Sequence, residues 1–223
     1  MRSDIKDAGM LVYHILSGAK HPFEVLKYCD MENDVQDIEA RNLINWMVNN
    51  AVIDEVLKHP FFWNKKRKEE VLRKLGDQPE VQYYIDISKV CKTRKAEEGL
   101  TAREAVERTF SNKKDKSRKT TILTMLGEIE EVQNKNLENL SKLCDSAKTF
   151  TQDKTFNKWK SELIDEWPDI NKDLPEDLIG LLRVFRNKLT HGGFDEQMFD
   201  RFPDFFISLH RLAIDMGWDC TWS

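Results

Sequence analysis

Three things are missing from this sequence, and each absence excludes a class of protein. No apolar run approaches the about 20 residues that span a bilayer, and the first residues lack the hydrophobic core of a secretion signal. A soluble chain in the cytoplasm, with no membrane partner, is therefore expected. The four cysteines, Cys29, Cys91, Cys144 and Cys220, show neither CxxC nor Cys/His ligand spacing, which predicts free thiols rather than disulfides or a metal centre. Segments of strictly alternating apolar and polar residues are scarce, which argues against a sheet and for an all-α fold. The net charge of -4 argues against a protein that coats nucleic acid, although a local basic site is compatible with it.

What the sequence does carry centres on Leu178–His191, LIGLLRVFRNKLTH, followed by Gly192 and Gly193. At 100° per residue Leu178, Leu182, Phe185 and Leu189 form one apolar stripe. Arg183, Asn187 and His191 stack on the opposite side at i, i+4 and i+8, with Arg186 on the flank. Asp173 with Glu176 and Pro175 predicts the helix start, and the glycine pair its stop. An imidazole that titrates near neutrality, beside guanidinium and amide donors, suits proton transfer and stabilisation of charge at a phosphodiester. A merely solvated helix face is the alternative reading of the same residues.

Elsewhere the apolar spacing predicts helices over 5–17, 38–48 and 53–58. His14, His21 and His59 have no ligand partner at useful spacing and read as structural or surface histidines. The middle of the chain repeats itself: RKEEVLRKLGDQPEVQ (67–82) aligns with RKTTILTMLGEIEEVQ (118–133), with Leu72/Leu123, Leu75/Leu126, Gly76/Gly127 and Gln82/Gln133 coinciding. Thr101 and Glu104 form a candidate capping box. Lys113, Lys114, Lys116, Arg118 and Lys119 make a basic run expected in a turn, either solvated or steering RNA.

Two resemblances lie on these segments. SDIKDAGMLVYHILSGAKHPFE, ARNLINWMV and DEVLKHPFFW resemble the last helices of a protein-kinase C-lobe. The Gly-rich loop, the VAIK-type lysine, the HRD loop and DFG are missing, so neither kinase activity nor ATP binding is expected. The tail HPFFW is typical of kinases that run directly into a KEN ribonuclease domain. FNKWKSELIDEW, LIGLLRVFRNKLTH and RFPDFFISLHRL resemble three helices of that domain, and the chain looks closest to the ribonuclease L type.

The resemblance implies an all-α architecture: a kinase C-lobe remnant with the first junction copy over 1–97, then a KEN-like domain with the second copy over 98–223. Spacing to Asn187 suggests that the second copy packs on the nuclease domain. It further implies an endoribonuclease without metal or cofactor, cleaving RNA by 2′-hydroxyl attack and active as a homodimer. His191 matches the catalytic histidine; Arg186 and Asn187 match residues that hold the scissile phosphate. Trp159 matches a tryptophan needed for activity, with core packing as its alternative, and Arg183 is a possible supporting residue. The catalytic tyrosine of the kinase–ribonuclease branch is Asp173 here, an acidic residue of the ribonuclease L type is Gly180, and all four tyrosines precede the nuclease segment. The second proton-transfer group is therefore unassigned. His210 is a candidate for it, though a histidine among Phe205, Phe206, Leu209 and Leu212 also suits a structural role. The short 192–201 loop suggests loose substrate preference. A non-catalytic KEN-fold scaffold acting through dimerisation is the alternative function.

Overall fold

In the computed structural model the described residues are 2–20, 31–49, 52–97, 99–112, 115–126, 139, 142–143, 145, 156–192, 194 and 196–218. Every regular element among them is helical, so the protein is all-α as the patterning predicts. No described helix is long and apolar enough to cross a membrane. His21, Lys113, Lys114, the 127–133 half of the second repeat copy and three of the cysteines lie outside the described residues; Cys91 is an exposed free thiol.

Two compact units divide the chain. The first comprises Met1–Lys68 with Asp195–Ile214 and Trp218–Ser223, and the second Glu69–Phe194 with Asp215–Gly217.

In the first unit α1 (Arg2–Leu16) packs on α3 (Ile38–Asn49), with short α2 (Met31–Asp34) and α4 (Ile53–Val56) beside them. The apolar faces predicted over 5–17 and 38–48 meet in one cluster of Ile5, Leu43, Met47 and Val56 and another of Tyr13, Val35, Ala40 and Ile44. The HPFFW signature forms a 3-10 turn, Pro60–Phe62, capped by His59, whose Nδ1 accepts the Phe61 N–H at 3.2 Å. With Nδ1 accepting, the ring proton sits on Nε2 and is donated to Asn42 Oδ1 at 3.0 Å. The last helix, α11 (Phe205–Met216), belongs largely to this unit. Its His210 touches the rings of Trp46, His59 and Trp63 at 5.2–5.8 Å between centroids.

The second unit contains residues 69–82 of the first repeated segment and the described 118–126 of the second. The 69–76 part of α5 (Lys65–Gly76) leads into α6 (Pro79–Ala96), which opens with proline at its first position, where no N–H is needed. Helices α7 (Ala102–Thr109) and α8 (Lys116–Met125) pack on α6 around Val90, Ala105, Val106, Phe110, Ile122 and Leu123. Thr101 and Glu104 form the expected capping box. The basic run is different from the expected turn: Lys116, Arg118 and Lys119 lie in α8. Arg118 grips the fully buried Asp86 through Nε at 3.0 Å and Nη2 at 2.5 Å, and Lys119 pairs with Glu107. Short α9 (Trp159–Leu163) and α10 (Leu178–His191) complete the unit.

Candidate active site on helix α10

Helix α10 spans the predicted residues, but its start is set differently from the Asp173/Glu176 expectation. Asp177 is the N-cap, accepting the Gly180 N–H at 2.9 Å, and its other oxygen accepts a hydrogen bond from the Tyr84 hydroxyl at 2.7 Å. The preceding loop decides between the two aspartates. Lys92 and Lys160 both donate to its carbonyls, Lys92 to Asp173 and Leu174 at 2.9 and 3.0 Å, and Lys160 to Lys172 and Leu174 at 2.9 and 2.6 Å. This holds residues 172–174 outside the helix. Burial raises the Asp177 carboxyl above its ordinary range, opposed by the Tyr84 and backbone hydrogen bonds. Burial, and then the neighbouring Lys92, lower Lys160. The first two turns bury more than one stripe, since Leu178, Ile179, Gly180, Leu181, Leu182, Val184 and Phe185 are all enclosed. At the other end Gly192 takes φ +87°, a backbone conformation that favours glycine, and stops the helix.

The polar residues leave the buried turns one by one. Arg183 donates Nη1 to the Gly76 carbonyl at 3.0 Å and Nη2 to Gln82 Oε1 at 2.8 Å. Its guanidinium thus serves the turn between α5 and α6. Burial, and then the like charge of Arg186, lower its pKa. Arg186 meets the same turn: Nη2 pairs with Asp77 Oδ1 at 2.5 Å, and Nη1 lies 3.4 Å from Asn187 Oδ1. A Cβ on Gly76 would stand 2.7–2.8 Å from the Arg186 Cγ and Cβ, so the arginine stem lies against bare backbone. The first copy thus meets α10 through Gly76, Asp77 and Gln82, while the corresponding residues of the second copy lie outside the described residues.

Arg183, Arg186 and Asn187 are thereby brought together, and His191 lies exposed one turn beyond Asn187, about 6 Å along the axis. Lys188, on the flank, donates to Asp169 at 2.8 Å and lies over the Trp167 ring. Trp159 is fully buried, with its ring 3.3 Å from where a Gly180 Cβ would be, and its Nε1 has no hydrogen-bond partner among the described residues. That placement is the core-packing alternative for Trp159. His210 is 2% exposed in the first unit, and burial pushes its imidazole down to about 4. His59 beside it is pushed down to about 3, by burial first and then by His210.

Sequence reasoning missed Tyr84, which reaches α10 from 93 residues away although no phenol was expected near it. Its hydroxyl serves the helix start, about 20 Å by helical rise from His191. Asp77 was also missed; the coincidences Gly76/Gly127 and Gln82/Gln133 in the repeat were the available signal.

No family model matches the chain. Over 94 residues it is 31% identical to the 2-5A-dependent ribonuclease of Mus musculus, covering 37% of the chain and 12% of that protein. Over 243 aligned positions it is 24% identical to the serine/threonine-protein kinase/endoribonuclease IRE1a of Arabidopsis thaliana, covering 94% of the chain and 23% of that protein. A third relative, serine/threonine-protein kinase/endoribonuclease IRE2 of Homo sapiens, is 29% identical over 92 residues, covering 33% of the chain and 10% of that protein. The chain thus spans between a tenth and a quarter of the length of these relatives.

Proposed function

Because the chain is related to the KEN-domain ribonucleases of the ribonuclease L and kinase–endoribonuclease type, we propose that it is an endoribonuclease acting on single-stranded RNA. Residues 1–97 form the kinase-like part and 98–223 the KEN-like part. The observation that carries this reading is the exposed His191 one helical turn beyond the paired Arg186 and Asn187. In the proposed reaction the ribose 2′-oxygen bonds to phosphorus and the bond from phosphorus to the 5′-oxygen breaks. A 2′,3′-cyclic phosphate and a 5′-hydroxyl result. The 2′-hydroxyl proton must be removed and a proton supplied to the leaving oxygen, and His191 performs one of these transfers. Arg186 and Asn187 donate to the phosphate oxygens as negative charge builds on them. General acid–base chemistry of this kind needs no metal ion. A second group must complete the proton traffic, and a homodimer that brings two such helices together supplies it from the partner chain.

A scaffold that acts through dimerisation is the second reading. It is favoured by the burial of His210 and by the commitment of the Tyr84 hydroxyl to Asp177, which leave one chain with a single exposed proton carrier among the described candidates. Cleavage of labelled, mixed-sequence single-stranded RNA in EDTA separates the two. Activity that rises faster than protein concentration and disappears in His191→Ala supports the dimeric nuclease. Wild-type protein that leaves the RNA intact at high concentration supports the scaffold, and cleavage retained by His191→Ala removes His191 from the site.

A further inference from the structure

The Asp77–Arg186 pair stands where the proposed reaction needs a guanidinium open to phosphate. The stem of Arg186 is pressed against the Gly76 backbone, which limits where its head can go. Among the described residues the head meets one carboxylate oxygen, through Nη2 at 2.5 Å; Nη1 has only the long contact to Asn187, and Nε is buried without a hydrogen-bond partner. Arg186 therefore keeps donor capacity that Asp77 does not use.

The surrounding charges set Asp77 apart. Arg183 feels the charges of Arg186, Asp77, Asp86 and Arg118. Asp86 is fully buried and gripped by Arg118, whereas the Asp77 side chain is 52% exposed. Arg183 is held by neutral acceptors, the Gly76 carbonyl and Gln82. Of the two carboxylates, then, only Asp77 can be exchanged for an anion from solution, because its release returns a half-hydrated group to water at small cost. A phosphodiester arriving at Arg186 meets either a guanidinium already paired or, with Asp77 displaced, one whose charge its carboxylate no longer offsets.

We propose that Asp77 is an anionic gate on Arg186: its carboxylate occupies the guanidinium in the free protein, and the phosphate of the substrate strand must displace it. This rests on the reading of Arg186 as the phosphate-holding residue. The gate sets how tightly a strand is held and how strongly binding depends on salt. Asp77 acts through Arg186 and is a positioning residue.

The test compares wild type, Asp77→Asn, Asp77→Ser and Arg186→Ala with two probes. The first is inorganic phosphate, read as protection of Arg186 from phenylglyoxal by peptide mass. The second is a short single-stranded RNA, read as binding across a salt series and as cleavage. Opening the gate lowers the phosphate concentration for half-protection about two- to fivefold in both Asp77 variants. It tightens RNA binding by a similar factor, and the salt dependence steepens by up to roughly 0.7 in log–log slope, the value of one further phosphate contact on a single strand. KM falls while kcat holds, and Arg186→Ala abolishes the RNA gain. An unchanged phosphate midpoint in both Asp77 variants overturns the gate, whatever the RNA does. A fall in kcat with unchanged phosphate protection also overturns it, by making Asp77 a brace. A shifted phosphate midpoint with RNA neither bound nor cleaved upholds the gate and removes the ribonuclease reading instead.

Discussion

A Cβ on Gly180 would fall inside the van der Waals envelope of the Pro175 carbonyl oxygen. The oxygen belongs to backbone held just ahead of the Asp177 cap, so neither side can yield without moving the start of α10. Gly180→Ala is expected to lose about 3 kcal/mol or more, at or beyond the upper end of ordinary overpacking. Thermal melting followed by circular dichroism reads this directly. A midpoint within about 2 °C of wild type, worth at most about 1 kcal/mol in a chain of this length, would refute the close approach. The same contact explains why the acidic side chain expected by resemblance at this position is absent.

Trp159 separates packing from chemistry. Its ring is fully enclosed and its Nε1 makes no hydrogen bond among the described residues, so no described polar contact is lost in Trp159→Phe. That variant should fold, with a loss of about 1–2 kcal/mol for the smaller ring, whereas Trp159→Ala should lose about 3–5 kcal/mol. If packing is the whole of its role, Trp159→Phe keeps RNA cleavage near the wild-type rate at temperatures where it is folded. A folded Trp159→Phe without activity would assign the indole a direct part in the reaction.

The His59–His210 pair makes the first unit sensitive to acid. Both imidazoles are neutral in the folded protein, lowered from 6.5 to about 3 and about 4 by burial, with His210 facing His59 and Lys58 acting on His210. The unfolded chain takes up protons below about pH 6.5 while the folded chain does not. Stability is therefore fully present above that pH and falls as pH drops toward 4 and 3. A tenfold difference in proton affinity between the folded and unfolded chain is worth about 1.4 kcal/mol, so His210 alone accounts for on the order of 3 kcal/mol. Urea unfolding at pH 7, 6, 5 and 4.5, followed by Trp fluorescence, should show the midpoint falling steadily, and less steeply in His210→Gln. Identical slopes in the two proteins would remove His210 from the acid response.

The sequence displays whatever is periodic or local. The stop of α10 follows from Gly192, and the Thr101/Glu104 box lies within four residues. The partners of the helix's arginines do not show in this way. Gly76 and Gln82 lie more than 100 residues from Arg183, and no spacing rule reaches that far. The choice of Asp177 over Asp173 as the cap was also hidden. Both are aspartates ahead of the helix, and the decision rests with Tyr84, Lys92 and Lys160 from elsewhere in the chain. His210 was legible as a histidine on an apolar face, but not as the neighbour of His59, since a turn and a helix far apart in sequence had to be packed before the rings could meet.

The α5–α6 turn has a consequence for dissecting the chain. Because Gly76, Asp77 and Gln82 hold Arg183 and Arg186, the aim of those guanidiniums is not encoded in the helix that bears them. A shortened protein starting at residue 98 would retain the whole RNxxxH motif and lose all three of its moorings. The smallest autonomous fragment with correctly aimed arginines must therefore reach back to Gly76, and grafting α10 alone into another helical host would transfer the letters of the motif without its geometry.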